Sequence, residues 1–457
     1  MANKGVIATL LFALSLLFHC TSTLLGAETL ELTWQDRIMI ASGGGYRGPW
    51  QMNESVYDYV DDPAAALDEK GSIGVVWADQ ARKDIFFQRF SPEGREQLPE
   101  PVNVSKSPNL FSWLPKIVMT SSDPQEIDVL WQEIIFSGGS HGGDILFARS
   151  TDGGRTFSEP LNLSNDLAGS GKGRRTKDNW DNGSLDLAKG PEGNLYVAWT
   201  EYEGTLWCSR STDQGATFSP PVRVVGQSGG HPHARGPSLA VGAQGVVYLA
   251  WTVGEEAAAD IHFSTSLDQG RSFTEPKIAH QSGGHADAPK IAVDPAGTVH
   301  LVYAESPKGP LEPYHIEYLR MKKGKERFAP PVSLSSPPSK RFESVSFPTL
   351  AIGGHNHLFV LWEIFPGPAV GSLFPGPSNR PKGIGFTYSS DGGQSFAKPS
   401  IIPGSLEPEQ GFNGSLQGLL MQKLAANNRG DIAVVNSTFK PGQRSQIWLI
   451  LGHAQED

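Results

Sequence analysis

The sequence predicts an all-β protein built from repeated four-stranded antiparallel units, and three observations support this prediction. One phrase, S-x-D-x-G-x-[ST]-F, occurs four times, starting at Ser150, Ser211, Ser266 and Ser389. An aromatic residue recurs near the end of the second apolar segment of each repeat. The 52 Gly and 34 Pro residues among 457 suit many short strands and turns. Self-similarity at a long period indicates a repeat architecture.

The repeated phrase has the composition of a locked hairpin turn. Its Ser and Asp side chains can accept backbone N–H groups, its Gly supplies a positive φ, and its Phe can enter a hydrophobic layer. The phrase resembles the Asp-box of the sialidase-like (BNR-repeat) β-propeller superfamily. The resemblance implies a β-propeller in which these boxes are structural and lie on the face opposite the functional site.

The repeats can be counted as blades. Residues 321–328 and 91–94 look like decayed Asp-boxes, which gives six repeats between Asp62 and Ser405. Three further strands follow, and we expect a strand over residues 30–40 to complete their sheet, because closing the ring removes exposed sheet edges. The prediction is therefore a seven-bladed propeller, with six blades as the alternative. Core packing between blades is predicted for the second-strand aromatics Trp77, Trp131, Trp199, Trp251, Tyr303 and Trp362.

The N-terminus predicts export. Lys4 precedes an apolar run over residues 6–18, and Leu25-Gly-Ala27 resembles a cleavage site, so residues 1–27 read as a signal peptide. A single propeller domain over residues 28–457 would then act in the periplasm or outside the cell. Cleavage also removes Cys20, which leaves Cys208 without a disulfide partner, and we interpret Cys208 as a buried strand thiol.

Charge and motif content restrict the possible partners. The formal net charge is -10, and loss of Lys4 makes it -11, which argues against nucleic acid and anionic membrane surfaces. No later segment predicts a membrane span. The histidines show no zinc-site spacing and no phosphate-binding glycine motif precedes a helix, so we expect neither a metal nor a cofactor. We expect a monomer, with a protein partner as one possibility.

Segments that join one blade to the next should surround the central funnel, where propellers bind ligands. These segments combine aromatic, acidic and basic residues. Tryptophans are costly to leave in plain surface loops, which favours a binding role. The predicted substrate-binding residues are Arg47, Trp50, Asp61, Trp180, Asp181, Arg235 and Asp287.

A second set of candidates follows the second-strand aromatics. Carboxylates recur there around the ring at one height, where mutual repulsion would raise some of their pKa values. They either bond the loops that they open or include the acid and base of a glycoside hydrolase. The candidate catalytic residues are Asp79, Glu133, Glu201, Glu305 and Glu363.

The resemblance to sialidases implies three substrate arginines, the first in an Arg-Ile-Pro motif that opens the first inner strand. Here Asp61-Asp62-Pro63 takes that place, and a carboxylate there would repel a sialate. Arg235-Gly-Pro237 has the motif's spacing, but in the fourth repeat. The sequence therefore predicts an exported propeller that recognises neutral or amino-sugar glycans. The alternatives are a glycoside hydrolase, including an exo-sialidase with a shifted arginine site, and a protein-docking propeller.

Overall fold

A computed structural model describes most of the chain. The described residues are 30–49, 51, 54–107, 110–122, 125–137, 140–164, 184–201, 204–226, 234–254, 258–310, 312–335, 344–366, 381–407 and 422–456. The predicted signal peptide lies outside these residues, so it stays a prediction. Among the residues described, no helix has the length and apolarity that a membrane crossing requires.

The described strands form seven radial sheets, confirming the seven-bladed prediction. In blades 1–3 the strands, from the first to the fourth, are Val60–Leu67, Ile73–Asp79, Asp84–Phe90 and Val102–Asn103; Phe111–Met119, Ile127–Ser137, Ser140–Ser150 and Leu161–Asn162; Leu185–Lys189, Leu195–Thr200, Leu206–Ser211 and Val222–Val225. In blades 4–6 they are Ala234–Val241, Val247–Val253, Asp260–Ser266 and Lys277–His280; His285–Val293, Val299–Ser306, His315–Met321 and Val332–Ser333; Ser344–Ile352, Leu358–Phe365, Gly383–Ser389 and Ser400–Ile401. All pairings within a blade are antiparallel. The first strands of consecutive blades contact one another around a central channel.

Blade 7 closes the ring with strands from both ends of the chain. Its first three strands are Leu424–Ala426, Asp431–Lys440 and Arg444–Glu456, and the N-terminal segments Leu30–Trp34 and Ile38–Gly43 both pair with the last of these. The expected closure is confirmed, although the single strand predicted over residues 30–40 is two strands. A short hairpin, Tyr46–Arg47 with Tyr57–Asp58, and the 3-10 turn Gly354–Asn356 complete the described elements.

The hydrophobic core lies between neighbouring blades, because each sheet buries both faces. The six second-strand aromatics named above are at most 2% exposed, which confirms their predicted core position. Cys208 is also buried, and burial raises the pKa of its thiol to about 12. It is therefore the inert strand thiol that the sequence predicted.

The Asp-boxes are the expected hairpin locks. In the first, the Gly154 N–H donates to Ser150 Oγ (2.8 Å) and the Thr156 N–H to Asp152 Oδ1 (3.0 Å). Gly154 has φ +84°, and a Cβ there would collide with Phe87 of the preceding blade. The glycine is thus required both by its backbone conformation and by the close approach of two blades.

The box phenylalanine also packs on the preceding blade. The Phe157 ring lies 5.5 Å from the Phe87 ring, and in the decayed box of blade 5 the Phe328 ring lies 5.1 Å from Phe263. Since the boxes turn between the third and fourth strands, the inter-blade segments emerge on the other face. That second face is called the funnel face below.

Candidate functional site

Five first strands carry the same irregularity near their funnel-face ends. A residue with positive φ precedes a proline, and pairing with the second strand skips two residues at this point. Four of the five are not glycine, so the conformation is strained for them. The positive-φ residues are Asp62 (51°), Leu114 (57°), Gly236 (57°), Ala288 (55°) and Phe347 (54°).

The bulges of blades 4 and 5 assemble a polar cluster, which we call the arginine cluster: Arg235, His285, Asp287 and Tyr314. Arg235 Nη2 lies 3.2 Å from His285 Nε2 and 3.5 Å from Asp287 Oδ2. Tyr314 Oη lies 2.9 Å from His285 Nδ1. The structure thus brings together Arg235 and Asp287, two residues selected from the sequence.

The protonation states in this cluster follow from its geometry. Arginine only donates, so His285 Nε2 accepts and the ring proton resides on Nδ1, from where it is donated to Tyr314 Oη. Burial, reinforced by the charge of Arg235, lowers the pKa of His285, which keeps the imidazole neutral. Burial and the Asp287 carboxylate raise the pKa of Tyr314, which keeps it a phenol.

Asp287 and Arg235 are held as an ion pair. Burial alone would raise the pKa of Asp287, but Arg235, His285, the Ala288 N–H and the Thr252 hydroxyl lower it. The Thr252 hydroxyl donates to Asp287 Oδ1 at 3.0 Å. Arg235 Nε has no hydrogen-bond partner among the described residues, so the guanidinium retains unused donor capacity.

On another side of the funnel face, blades 1 and 2 form a different cluster, which we call the acid–aromatic cluster: Asp61, Gln80, Trp113 and Tyr59. Trp113 Nε1 donates to Gln80 Oε1 (2.8 Å), and Gln80 Nε2 donates to Asp61 Oδ1 (2.8 Å). Asp61 is 1% exposed and Trp113 is half-buried. The amide of Gln80 therefore fixes both the carboxyl group and the indole ring.

Further rings pack around this cluster. Tyr57, Phe111 and Phe439 join Tyr59 and Trp113, with neighbouring ring centroids 5.3–5.9 Å apart. Burial and the adjacent Asp62 raise the pKa of Asp61 well above its usual value, against the lowering effects of Gln80 and Arg47. Burial and Asp61 likewise raise the pKa of Tyr59. This side of the funnel therefore has an apolar surface and a carboxyl group that favours its protonated form.

The predicted catalytic carboxylates have individual partners. Asp79 accepts the backbone N–H groups of Ala81 and Arg82, both at 3.1 Å. The Glu201 backbone closes a turn with Thr205 at 2.8 Å. Glu363 is buried in an ion pair with Lys423. These three contacts match the loop-bonding interpretation of the repeated carboxylates more closely than a shared pocket.

The remaining two carboxylates are also hydrogen-bonded. Glu133 accepts from the Ser107 hydroxyl and from Trp131 Nε1, and burial raises the pKa of Glu133. Glu305 accepts from the Ser282 hydroxyl at 2.5 Å. Burial alone would raise the pKa of Glu305, but hydrogen bonds from His280 and Ser282 hold it below its usual value. The charge of Glu305 acts on both His285 and Tyr314, so Glu305 borders the arginine cluster.

Several predicted residues lie elsewhere, and others were missed. Trp50, Trp180 and Asp181 are outside the described residues, and Arg47 lies exposed on the short hairpin. Sequence reasoning did not select His285, Tyr314, Gln80 or Trp113. The recurring residue pair before a strand-opening proline was the signal that could have found Trp113. In the described part of the chain, no group of three or more His, Cys, Asp or Glu is arranged to hold a metal.

Comparison with known proteins gives the fold. No protein-family model matches the chain, and no curated protein matches it. An ulvan lyase of polysaccharide lyase family PL25, solved bound to -[GlcA(1-4)Rha3S]-, is 13% identical with a TM-score of 0.54, covering 91% of this chain and 96% of its own. A protein of unknown function from Dyadobacter fermentans is 16% identical with a TM-score of 0.51, covering 78% and 99%.

A Hadza microbial sialidase is 14% identical with a TM-score of 0.43, covering 76% of this chain and 66% of its own. At these identities the likeness concerns the fold. The predicted sialidase-like propeller architecture is confirmed, and its structural neighbours are carbohydrate-active propellers.

Proposed function

We propose that this protein cleaves an acidic polysaccharide by β-elimination at the arginine cluster. The observation that carries the proposal is the continuous contact from Arg235 through His285 to Tyr314. It places a cation, a neutral imidazole and a phenol in one line at the funnel face. The likeness in fold to a lyase solved with a glucuronate-containing glycan supports the same substrate class.

Each group has the state that β-elimination requires. Arg235 binds the carboxylate of a uronate, which makes the neighbouring C5 proton more acidic. His285 Nε2, released from Arg235 by the substrate, takes the C5 proton, and the electron pair of that C–H bond forms the C4=C5 double bond. The C4–O bond breaks, and Tyr314 donates its proton to the departing oxygen. The Nδ1 proton of His285 then restores Tyr314, so the protons balance.

The acid–aromatic cluster accounts for a neutral sugar in the same chain. Sugar rings stack on aromatic faces, and Trp113 is held in a fixed orientation by Gln80. The raised pKa of Asp61 keeps its carboxyl compatible with a neutral ligand. The neutral-glycan expectation from the sequence therefore belongs to this side of the funnel, and an alternating acidic and neutral polymer would use both sides.

Arg235→Ala tests the proposal, with Arg271→Ala as its matched control because Arg271 is exposed on an Asp-box turn. Both variants and the wild type are incubated with uronate-containing polysaccharides, and the unsaturated product is followed by its ultraviolet absorbance. We expect wild-type turnover, loss of about 10²–10³-fold in kcat/KM for Arg235→Ala, and no change for Arg271→Ala. Turnover that survives in Arg235→Ala contradicts the proposal.

Two further substrates distinguish the other functions. A fluorogenic sialoside tests the exo-sialidase alternative, for which we expect no turnover because Asp61 and Asp62 stand where the sialidase motif has its arginine. Neutral glycosides test the hydrolase alternative that uses two of the ring carboxylates. Retained binding of an acidic polysaccharide without any cleavage would reduce the proposal to glycan recognition.

A further inference from the structure

Three charged side chains occupy one level of the central channel. Lys116 of blade 2 and Lys290 of blade 5 each follow the bulge proline, and they pair with Leu130 and Val302. Asp186 of blade 3 pairs with Ala198. All three partner residues directly precede a second-strand aromatic, so the three side chains occupy equivalent positions on the strands that surround the channel.

Lys116 and Asp186 form a buried pair. Lys116 is 2% exposed, and its Nζ lies 3.6 Å from Asp186 Oδ1. Asp186 Oδ2 accepts the backbone N–H of Leu239 from the next blade at 2.8 Å. One carboxylate therefore already serves one ammonium and one backbone donor.

Lys290 has no comparable partner. It makes no hydrogen bond and no ion pair with the part of the chain that the structure describes. Burial, together with the charge of Lys116, lowers the pKa of Lys290 to about 7, and Asp186 only partly opposes this shift. Blades 2 and 5 are not neighbours, so the two lysines influence each other across the channel. At the same level, Lys423 and Glu363 neutralise each other.

We propose that the central channel binds one small monovalent anion between Lys290 and Lys116. Two ammonium groups and one carboxylate leave one positive charge, and an uncompensated charge in a protein interior is costly. Ser238, at the equivalent position of blade 4, accepts the Ile291 N–H at 3.2 Å, which leaves its own hydroxyl proton as a donor at this level. This inference does not depend on the proposed lyase activity.

Thermal unfolding without any polysaccharide tests the anion site. The mature protein is melted in sodium bromide, sodium chloride and sodium gluconate at equal ionic strength. We expect a higher Tm in bromide and chloride, rising with the logarithm of their concentration, because a ligand that binds only the folded state stabilises it. Lys290→Met should remove this difference, and Lys277→Met, a surface lysine paired with Glu326, should keep it. Equal Tm values for the wild type in all three salts would overturn the proposal.

The pH dependence sharpens this test. The folded-state pKa of Lys290 is lowered to about 7, so without an anion the unfolded state binds more protons above that pH. Stability then rises with pH between about 7 and 10. The anion requires the protonated amine, so the bromide effect should be larger below pH 7 and fade above it. A bromide effect that is independent of pH contradicts the role of Lys290.

Bromide anomalous scattering locates the ion directly. Crystals of the wild type soaked in bromide should show a peak in the channel beside Lys290 and Lys116, and Lys290→Met crystals should lack it. Bromide peaks confined to the outer surface would overturn the proposal even if the Tm shifts. Displacement of the channel peak by an acidic oligosaccharide would instead assign the site to a carboxylate or sulfate of the substrate.

Discussion

Asp61 and Asp287 occupy the same position in two blades and have opposite electrostatics. Each stands two residues before the bulge proline of a first strand, in blades 1 and 5. The pKa of Asp61 is raised well above its usual value, whereas that of Asp287 is lowered. The repeated backbone therefore does not determine the chemistry of the residue that it presents.

The difference comes from the neighbours. Asp287 is buried, but Arg235, His285, the Ala288 N–H and the Thr252 hydroxyl stabilise its charge. Asp61 has one amide donor, Gln80, and a second carboxylate beside it in Asp62. The funnel face thus combines a charged side and an apolar, acidic side on one repeated scaffold, and three predictions test that division.

The largest expected effect is on catalysis by Tyr314→Phe. Removing the phenolic proton should lower kcat by about 10²–10³-fold with little change in KM, because general acid catalysis contributes on that scale. Steady-state kinetics on the acidic polysaccharide measure both constants. Tyr318→Phe is the matched control, since Tyr318 Oη also contacts a histidine, His300, at 2.7 Å but belongs to the buried core. Equal losses of kcat in the two variants would show that Tyr314 has only a structural role.

The next effect is on stability. Asp287→Asn should lower the free energy of unfolding at neutral pH by about 1.5–3 kcal/mol, because it removes a charged acceptor of hydrogen bonds from Arg235 and Thr252. Asp61→Asn should change it by less than about 1 kcal/mol or raise it, because its carboxylate is already disfavoured. Urea unfolding of both variants measures the contrast. A larger loss for Asp61→Asn would reverse our assignment of the two sides.

The same pair should respond oppositely to pH. The folded-state pKa of Asp287 is lowered, so its stabilisation is present above the unfolded value of about 4 and is lost as pH falls through the folded value. The folded-state pKa of Asp61 is raised, so its carboxyl favours the folded state at acidic pH and loses this contribution as pH rises. Asp62, Asp79, Arg47 and Tyr59 act on the same carboxyl, so Asp61→Asn isolates its share.

The smallest effect concerns the indole of Trp113. Trp113→Ala should weaken binding of a neutral oligosaccharide by about 0.5–1.5 kcal/mol, roughly three- to tenfold in Kd, through loss of the stacking surface. Trp113→Phe, which keeps a ring but loses the Nε1 bond to Gln80, should lose less. Isothermal titration calorimetry measures both. Unchanged affinity in Trp113→Ala would remove the sugar-binding role from the acid–aromatic cluster.

Much of the fold could be predicted because it depends on local, repeated signals. The four Asp-boxes lock hairpins through bonds within seven residues of one another, so their geometry is written in consecutive letters. The decayed box ending at Phe328 was recognisable for the same reason. The break of the N-terminal strand at residues 35–37 was not, because it depends on pairing with the last strand of the chain.

The candidate site divides along the same line. The sequence by itself determined the ring of blades, its closure, the buried aromatics and the inter-blade origin of Arg235, Asp61 and Asp287. Only the tertiary structure decided that Arg235 meets His285 and Tyr314, while Asp61 meets Gln80 and Trp113. The reason is physical: hairpin geometry follows from interactions between near neighbours in sequence. The pKa of a buried carboxyl follows instead from charges and donors that adjacent blades bring together across 19 to 79 residues of chain.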